Sequence, residues 1–553
     1  MFEFITLSFY YWIITFSIVG YGILFNQYFL KSHDKDIGFI GIYGIFILIF
    51  ISYLSSFFLS HTEIFNSILL VIGFVNFCIN WSNIIIQKNI KKLLIIFLIL
   101  MIFIFVSKNH DDFPAYHFPY THLLTEFSNM IGLGNFVHGF RTHSSIFYLS
   151  SLFNLPFSNY SLFHLSPVYF MGFSNIILYN KIKDQLKNGS SSYLLYLSLF
   201  SLIFINIFFY RLAEHGTDRS AMILIIVTIV ELFFLTNKKK DTNKYLFLKF
   251  LVLITLIISL KTFYILYGLL LLPLILYFLS RNISITFFFK NIVMYLCLFV
   301  LVALISVNFF NTGCLLYPVK VLCFENFIWS IPISEVDKMN LWYQQWAKAG
   351  ANPNYRVDNP ELYIQNFNWI SNWIDRYFFN KVSDFLLAVT FLNLFIFLIF
   401  FSKKIKKFQR PKFLLTYIIL IFLTLVWFCT LPTLRYGGYH LIALLTFIPT
   451  SIFLSKFFLE RKLLKKKVYL VLLLSVIIFL GRNTSRLSNE YVLYNYNILE
   501  SAYPRKVEQN FKIFQRIHNL NECYIKKKSK ACSEDYLKVK LLYNKYVYYR
   551  DEK

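Results

Sequence analysis

Between Asn109 and Ser145 the chain reads NHDDFPAYHFPYTHLLTEFSNMIGLGNFVHGFRTHSS, which gathers Asp111, Asp112, five histidines, Glu126 and Arg141 into one short stretch. A carboxylate beside apolar walls is partly desolvated, its pKa rises toward neutrality, and it can serve as general base on an acceptor hydroxyl. The pair Asp111 and Asp112 could equally ligate a divalent Mg or Mn ion beside a phosphate. The plain alternative is a solvated, helix-capping acid pair. The density of Tyr116, His117, His122, Glu126, His138, Arg141 and His143 in the same stretch weighs against that alternative. Within it, His110 and His143 read as solvated surface groups.

Three further places carry ionisable groups at the edges of apolar runs. RLAEHGTDR brings Glu214, His215 and Asp218 together, with Asp218 also placed to cap the following run. Lys261 is an isolated cation between two apolar runs, suited to a lipid phosphate or to snorkelling. Arg435 in LPTLRYGGYH precedes two glycines, which permit close approach of an anion that a guanidinium could hold bidentately; His440 follows one turn later. In GLGN (132–135) the glycines favour a tight turn joining two interfacial helices over a phosphate loop, because the P-loop lysine is missing.

The elements that position these residues are apolar. The chain has 553 residues, 57% hydrophobic and 15% charged, with a mean hydropathy of +0.58. Soluble domains carry roughly 25% charge. Apolar runs near 4–30, 37–60, 64–86, 93–106, 161–179, 192–210, 219–236, 246–260, 263–279, 291–309, 382–401, 412–430, 438–455 and 468–480 give about fourteen spans of an all-α polytopic membrane protein. The segment 144–157 is too short to cross and reads as interfacial or re-entrant.

The net charge of +26 lies largely in short loops, so it orients the chain and does not suggest nucleic acid. Loops at 31–35, 87–92, 181–187, 238–244, 281–290, 403–412 and 460–467 alternate correctly if they are cytoplasmic and both termini lie outside. No cleavable signal peptide is evident, and Phe4–Leu30 reads as a retained span. The outer face then carries 107–160, 211–219, 310–381, 431–438 and a tail. The expected organisation is a membrane domain over 1–480 and a small outer tail domain over 481–553.

Cys314 with Cys323, and Cys523 with Cys532, fall in outer segments nine positions apart, and suggest two small-loop disulfides. Cys78, Cys297 and Cys429 sit within apolar runs. The long outer loop holds five of the eight tryptophans. A capping-box-like Ser334–Asp337 predicts a helix ending at Gly350, with Met339, Trp342 and Trp346 on one face. A second helix is expected from Asn359-Pro360, with Phe367, Ile370, Ile374 and Tyr377 as its apolar stripe; both should lie in the membrane interface.

These landmarks, in this order, resemble the GT-C superfamily of polytopic glycosyltransferases, and within it a bacterial branch associated with surface polysaccharides. The resemblance rests on HDDFPAYHFP, GLGNFVHGFR, Ser144-Ser145, GTD (216–218), Lys261 in SLKT, TGCLLYPV (312–319) and RYGGY (435–439). It implies a GT-C-like helical bundle in a bacterial inner membrane, with its site on the extracytoplasmic face. An inverting transferase would move a sugar from a polyprenyl-phosphate donor to a glycan or lipid acceptor among membrane lipids. The implied roles are Asp111 or Asp112 as base or metal ligand, Asp218 as a second acid, and Lys261 and Arg435 as phosphate contacts. Tyr116, His117, His138, Arg141 and Glu214 are the remaining candidates for substrate binding. A polysaccharide polymerase and a lipid-glycan flippase are the competing expectations.

Overall fold

The computed structural model describes all residues except 32–34, 83, 109, 188–191, 215, 237–244, 281–288, 353–356, 406–413, 501–508, 528–531, 535 and 551–553. The expectations placed on His215 and on the basic loops at 238–244 and 281–288 fall outside that description. The chain is predominantly helical, with one small sheet near its C-terminal end.

Among the described residues, five helices are long and apolar enough to cross a membrane: α1 (Phe2–Phe29), α2 (Ile37–Ser56), α11 (Thr262–Leu279), α12 (Ile292–Thr312) and α15 (Ile370–Phe400). Shorter apolar helices are α3 (Glu63–Ile79), α8 (Tyr193–Phe208), α10 (Tyr245–Leu260), α16 (Leu414–Thr430) and α17 (Gly438–Leu454). The other expected spans fall on more polar helices, α4 (Ile84–Ile104), α7 (Ser166–Lys187), α9 (Thr217–Thr236) and α18 (Arg461–Tyr494). Between and after these run α5 (Phe118–Glu126), α6 (Ser145–Ser151), α13 (Ile333–Lys348), α14 (Pro360–Ile364) and α19 (Gln509–Lys527). Strands β1 (Ser533–Glu534), β2 (Leu537–Leu542) and β3 (Lys545–Arg550) form an antiparallel sheet in that order.

Local chemistry sets several of these boundaries. Asp36, Thr62, Ser192, Asn291 and Asn359 each accept a backbone N–H in the first turn of the helix that follows. Helices α1 and α3 cross closely because small residues meet there: a Cβ on Gly20 would lie 1.9 Å from the Gly73 carbonyl oxygen.

Basic loops meet at one end of the bundle. Lys92 donates to Asn180, Asn180 to Asp36, and Arg461 to the Lys187 carbonyl. The acid-bearing loops and both disulfides, Cys314–Cys323 and Cys523–Cys532, belong to the connections of the opposite end. The segment 144–157 forms no surface helix: α6 is wholly buried, packed on α2, α5 and α7. The 480/481 boundary falls inside α18, which runs without a break to Tyr494.

The long loop departs from its expected layout. Helix α13 begins at Ile333 with Pro332 as its cap residue, so Ser334 lies inside the helix and caps nothing. Its Ile333 N–H is taken by Glu325, and Asp337 pairs with Lys320 at 2.5 Å. The second helix starts at Pro360 as expected but ends after one turn, and Asn366 turns the chain at φ +48°. Ile370, Ile374 and Tyr377 then open α15 itself. Trp369 and Trp373 are buried against Phe428 of α16, with ring centroids 5.4 and 5.6 Å away.

Burial holds three loop histidines neutral. Burial lowers His143 to about 3 and His61 and His164 to about 4, from an ordinary 6.5. His143 is therefore no solvated surface group: its Nε2 lies 2.7 Å from the Tyr53 hydroxyl. His61 bridges Ser55 and Ser151, and His164 bonds the Ile104 carbonyl. Because these folded values lie below the unfolded one, their stabilisation is complete above pH 6.5 and is lost as pH falls toward 4. At pH 5 each is expected to remove about 2 kcal/mol. Thermal unfolding of detergent-solubilised protein from pH 7.5 to 5 checks this; an unchanged midpoint would contradict it.

Candidate functional site

Four side chains from four distant segments converge at the acid-bearing end. Arg435 sits in the short 3-10 turn Leu434–Tyr436 between α16 and α17. Its Nε donates to Asp218 Oδ2 at 2.7 Å and its Nη2 to Asp112 Oδ2 at 2.6 Å. Lys261, in extended backbone where α10 gives way to α11, places Nζ 2.9 Å from Asp218 Oδ1. Asp218 lies in the first turn of α9 and makes both of these cation contacts.

The electrostatics follow from unequal burial. Asp218 is 1% exposed, whereas the Asp112 side chain is 26% exposed and opens toward solvent. Burial alone would lower the Arg435 guanidinium, but the neighbouring carboxylates of Asp218 and Asp112 outweigh it and raise it well above its ordinary value. His110, 3.5 Å from Asp112, is lowered by burial against the pull of that carboxylate. His138 is lowered by burial and then by Arg141. Tyr116 is raised by burial and then by Asp112, so its hydroxyl stays protonated. Two acids thus balance two cations, and the flanking imidazoles are neutral at pH 7.

Aromatic rings roof the cluster. Tyr436 faces both cations, with Lys261 Nζ 5.5 Å and Arg435 Cζ 6.0 Å from its ring centroid. Trp346 meets Tyr436 edge-on at 5.6 Å, and Trp342 stacks behind Trp346 at 6.4 Å while its other side meets His138. The common face of Trp342 and Trp346 was visible in the sequence; that it points at Arg435 was not.

The remaining candidates scatter. Asp111 is exposed, whereas Asp112 is half-buried. His117 is buried between Tyr116 and Phe147, at 4.4 and 5.2 Å. The Glu214 side chain lies outside the described residues. Arg141 belongs to a second network: it donates to the Gly134 carbonyl at 2.8 Å and to Glu335 at 2.6 Å, and Glu335 also receives Arg550 at 2.7 Å. Its fork is therefore occupied by protein. Gly132 adopts φ +81°, and a Cβ there would lie 2.0 Å from the Tyr548 carbonyl oxygen, so GLGN is a turn that seats β3. His440 pairs with Tyr267 at 2.5 Å, beneath the cluster. Glu335 and Arg550 escaped sequence reading because nothing local links positions so far apart.

An Mg or Mn ion at this cluster would compete with protein cations for the acids. Arg435 engages Asp112 Oδ2 and Asp218 Oδ2, Lys261 engages Asp218 Oδ1, and no group of three or more potential ligands occurs among the described residues. The clustered cations suit an oxyanion better.

Fold and site together define a mostly helical protein with several apolar candidate spans and an ion-paired polar cluster at one end of its bundle. The chain belongs to the family described as a domain of unknown function (DUF8201), whose model matches residues 4–443. No curated protein and no solved structure matches it. The matched region contains Asp112, Asp218, Lys261 and Arg435.

Proposed function

We propose that this chain is a membrane glycosyltransferase of the GT-C kind, moving a sugar from a polyprenyl-phosphate donor to a glycan or lipid acceptor at the extracytoplasmic face of a bacterial cell membrane. The observation that carries the reading is the linking of Asp112, Arg435, Asp218 and Lys261, in that order, by contacts of hydrogen-bond length. Such a cluster supplies both halves of an inverting displacement, a carboxylate for the incoming hydroxyl and cations for the departing phosphate.

The donor phosphate competes with Asp112 for Arg435. Once Arg435 and Lys261 hold the phosphate, Asp112 is released to accept the acceptor's proton. The acceptor oxygen then bonds to the anomeric carbon while the carbon–oxygen bond to phosphate breaks. The electron pair stays on the phosphate oxygen, facing the two cations. Asp218, shielded from solvent, holds both cations in place throughout. Trp342, Trp346 and Tyr436 offer ring faces for a sugar.

Incubating purified protein in lipid nanodiscs with polyprenyl-phosphate hexoses or pentoses and a membrane glycan acceptor should release polyprenyl phosphate. Arg435→Lys should weaken donor binding, expressed as a higher KM, by about tenfold because a forked contact is lost. Movement of intact lipid-linked glycan between leaflets, with no sugar released, would replace transfer by transport.

A further inference from the structure

Beside the carboxylate cluster, and sharing no residue with it, lies a half-open pocket of about 470 Å³. Its walls come from the end of the α4 connection (Lys108), the α8–α9 connection (Tyr210, Arg211) and one face of α18 (Arg482, Arg486, Glu490). Four lining residues are cationic and one is anionic, a formal balance of 4 − 1 = +3. The single acid is committed: Glu490 accepts from Arg486 at 2.9 Å and from the Ser107 backbone N–H at 2.7 Å. Two of the three guanidiniums are held in place. Arg486 is 6% exposed and also bonds Asn483, while Arg482 lies 3.8 Å over the Tyr210 ring and donates to the Ile207 carbonyl. Ser485 and Asn489 add uncharged polar groups to the same wall.

Like charges gathered in a concave wall repel one another, and an anion of matching geometry relieves that repulsion. Fixed guanidiniums recognise phosphate oxygens in pairs, and the volume lies within the range of small-ligand sites. We propose that this pocket binds a phosphate or pyrophosphate group, presented either by a soluble ion or by the headgroup of an anionic lipid. The rim favours neither source by charge, although Leu493, 70% exposed, provides an apolar edge. The proposal does not depend on the transferase reading, and the pocket's α18 wall lies beyond the region matched by the family.

The test compares wild-type protein with Lys108→Gln/Arg482→Gln, two exposed positions chosen to leave the Arg486–Glu490 pair intact. One arm titrates inorganic pyrophosphate into protein in neutral detergent. The other measures enrichment of phosphatidylglycerol over phosphatidylcholine around protein in mixed nanodiscs. In at least one arm the wild type should bind and the double variant should bind at least about tenfold more weakly, with a shallower salt dependence. Arg482→Lys should recover part of the loss. If the double variant is misfolded, Lys108→Gln alone should still weaken binding severalfold. The proposal is overturned if wild type binds in neither arm, or if the variants bind as wild type does in both.

Discussion

Asp112→Asn is expected to slow sugar transfer by about 10²–10⁴-fold, the contribution of a well-placed general base, while lowering the KM for the lipid donor, since a neutral amide competes less for Arg435. Asparagine keeps the side-chain shape and can still accept a hydrogen bond from Arg435, so Asp218, Lys261 and Arg435 should stay assembled. What it lacks is a place for the acceptor's proton. The neighbouring substitution is the control: Asp111 is exposed, so Asp111→Asn should stay within about threefold of wild type, as surface changes usually do. Single-turnover measurement of polyprenyl-phosphate release on both variants separates these outcomes. Equal loss in the two, or full activity in Asp112→Asn, would remove Asp112 from the proposed role.

The largest effect on stability is expected far from that cluster. Glu231, 3% exposed within α9, pairs with Lys249 of α10 at 2.9 Å and with Lys181 of α7 at 2.5 Å. Lys249 also lies 3.2 Å from the Phe39 ring centroid of α2. Glu231→Gln would leave a deeply buried ammonium without its counter-charge, a change costing roughly 3–5 kcal/mol. Removing Lys249 as well, as in Glu231→Gln/Lys249→Met, should restore part of the loss, because it removes the more deeply buried ammonium and leaves only Lys181, 17% exposed, without its partner. Unfolding followed by tryptophan fluorescence in detergent reports both. A Glu231→Gln protein within about 0.5 kcal/mol of wild type would show that water reaches the lysines.

The contrast between these two places shows what was legible in the sequence. Asp112, Asp218, Lys261 and Arg435 each stand out because an ionisable group at the edge of an apolar run is costly and needs a reason. Their type was readable, but their partners were not, since the contacts join positions 112, 218, 261 and 435. Choosing between Asp111 and Asp112 required the backbone, because adjacent residues point to different surroundings. Glu231 carried the same signal inside an apolar run and was passed over because the run counted as a span. Arg482 and Arg486 were missed for the opposite reason: α18 outlasts its apolar segment, so its polar end read as a separate tail. The expected capping box at Ser334–Asp337 failed because Glu325 supplied the cap from another turn.

The sheet at the C-terminal end has a consequence for how the protein is made. Ile131 exchanges backbone hydrogen bonds with Tyr546 and Tyr548, and Lys545 reaches the Phe57 carbonyl. Arg141 shares Glu335 with Arg550. From Ile131 to Val547 is 547 − 131 = 416 positions. At about 5–20 residues per second, a ribosome takes roughly twenty to eighty seconds to cover that distance. Through that interval the first large loop exists without the strand that fastens it. A chaperone or the translocation machinery guarding that loop would meet it as a nascent chain, and the finished fold would exist only after the last strand docked.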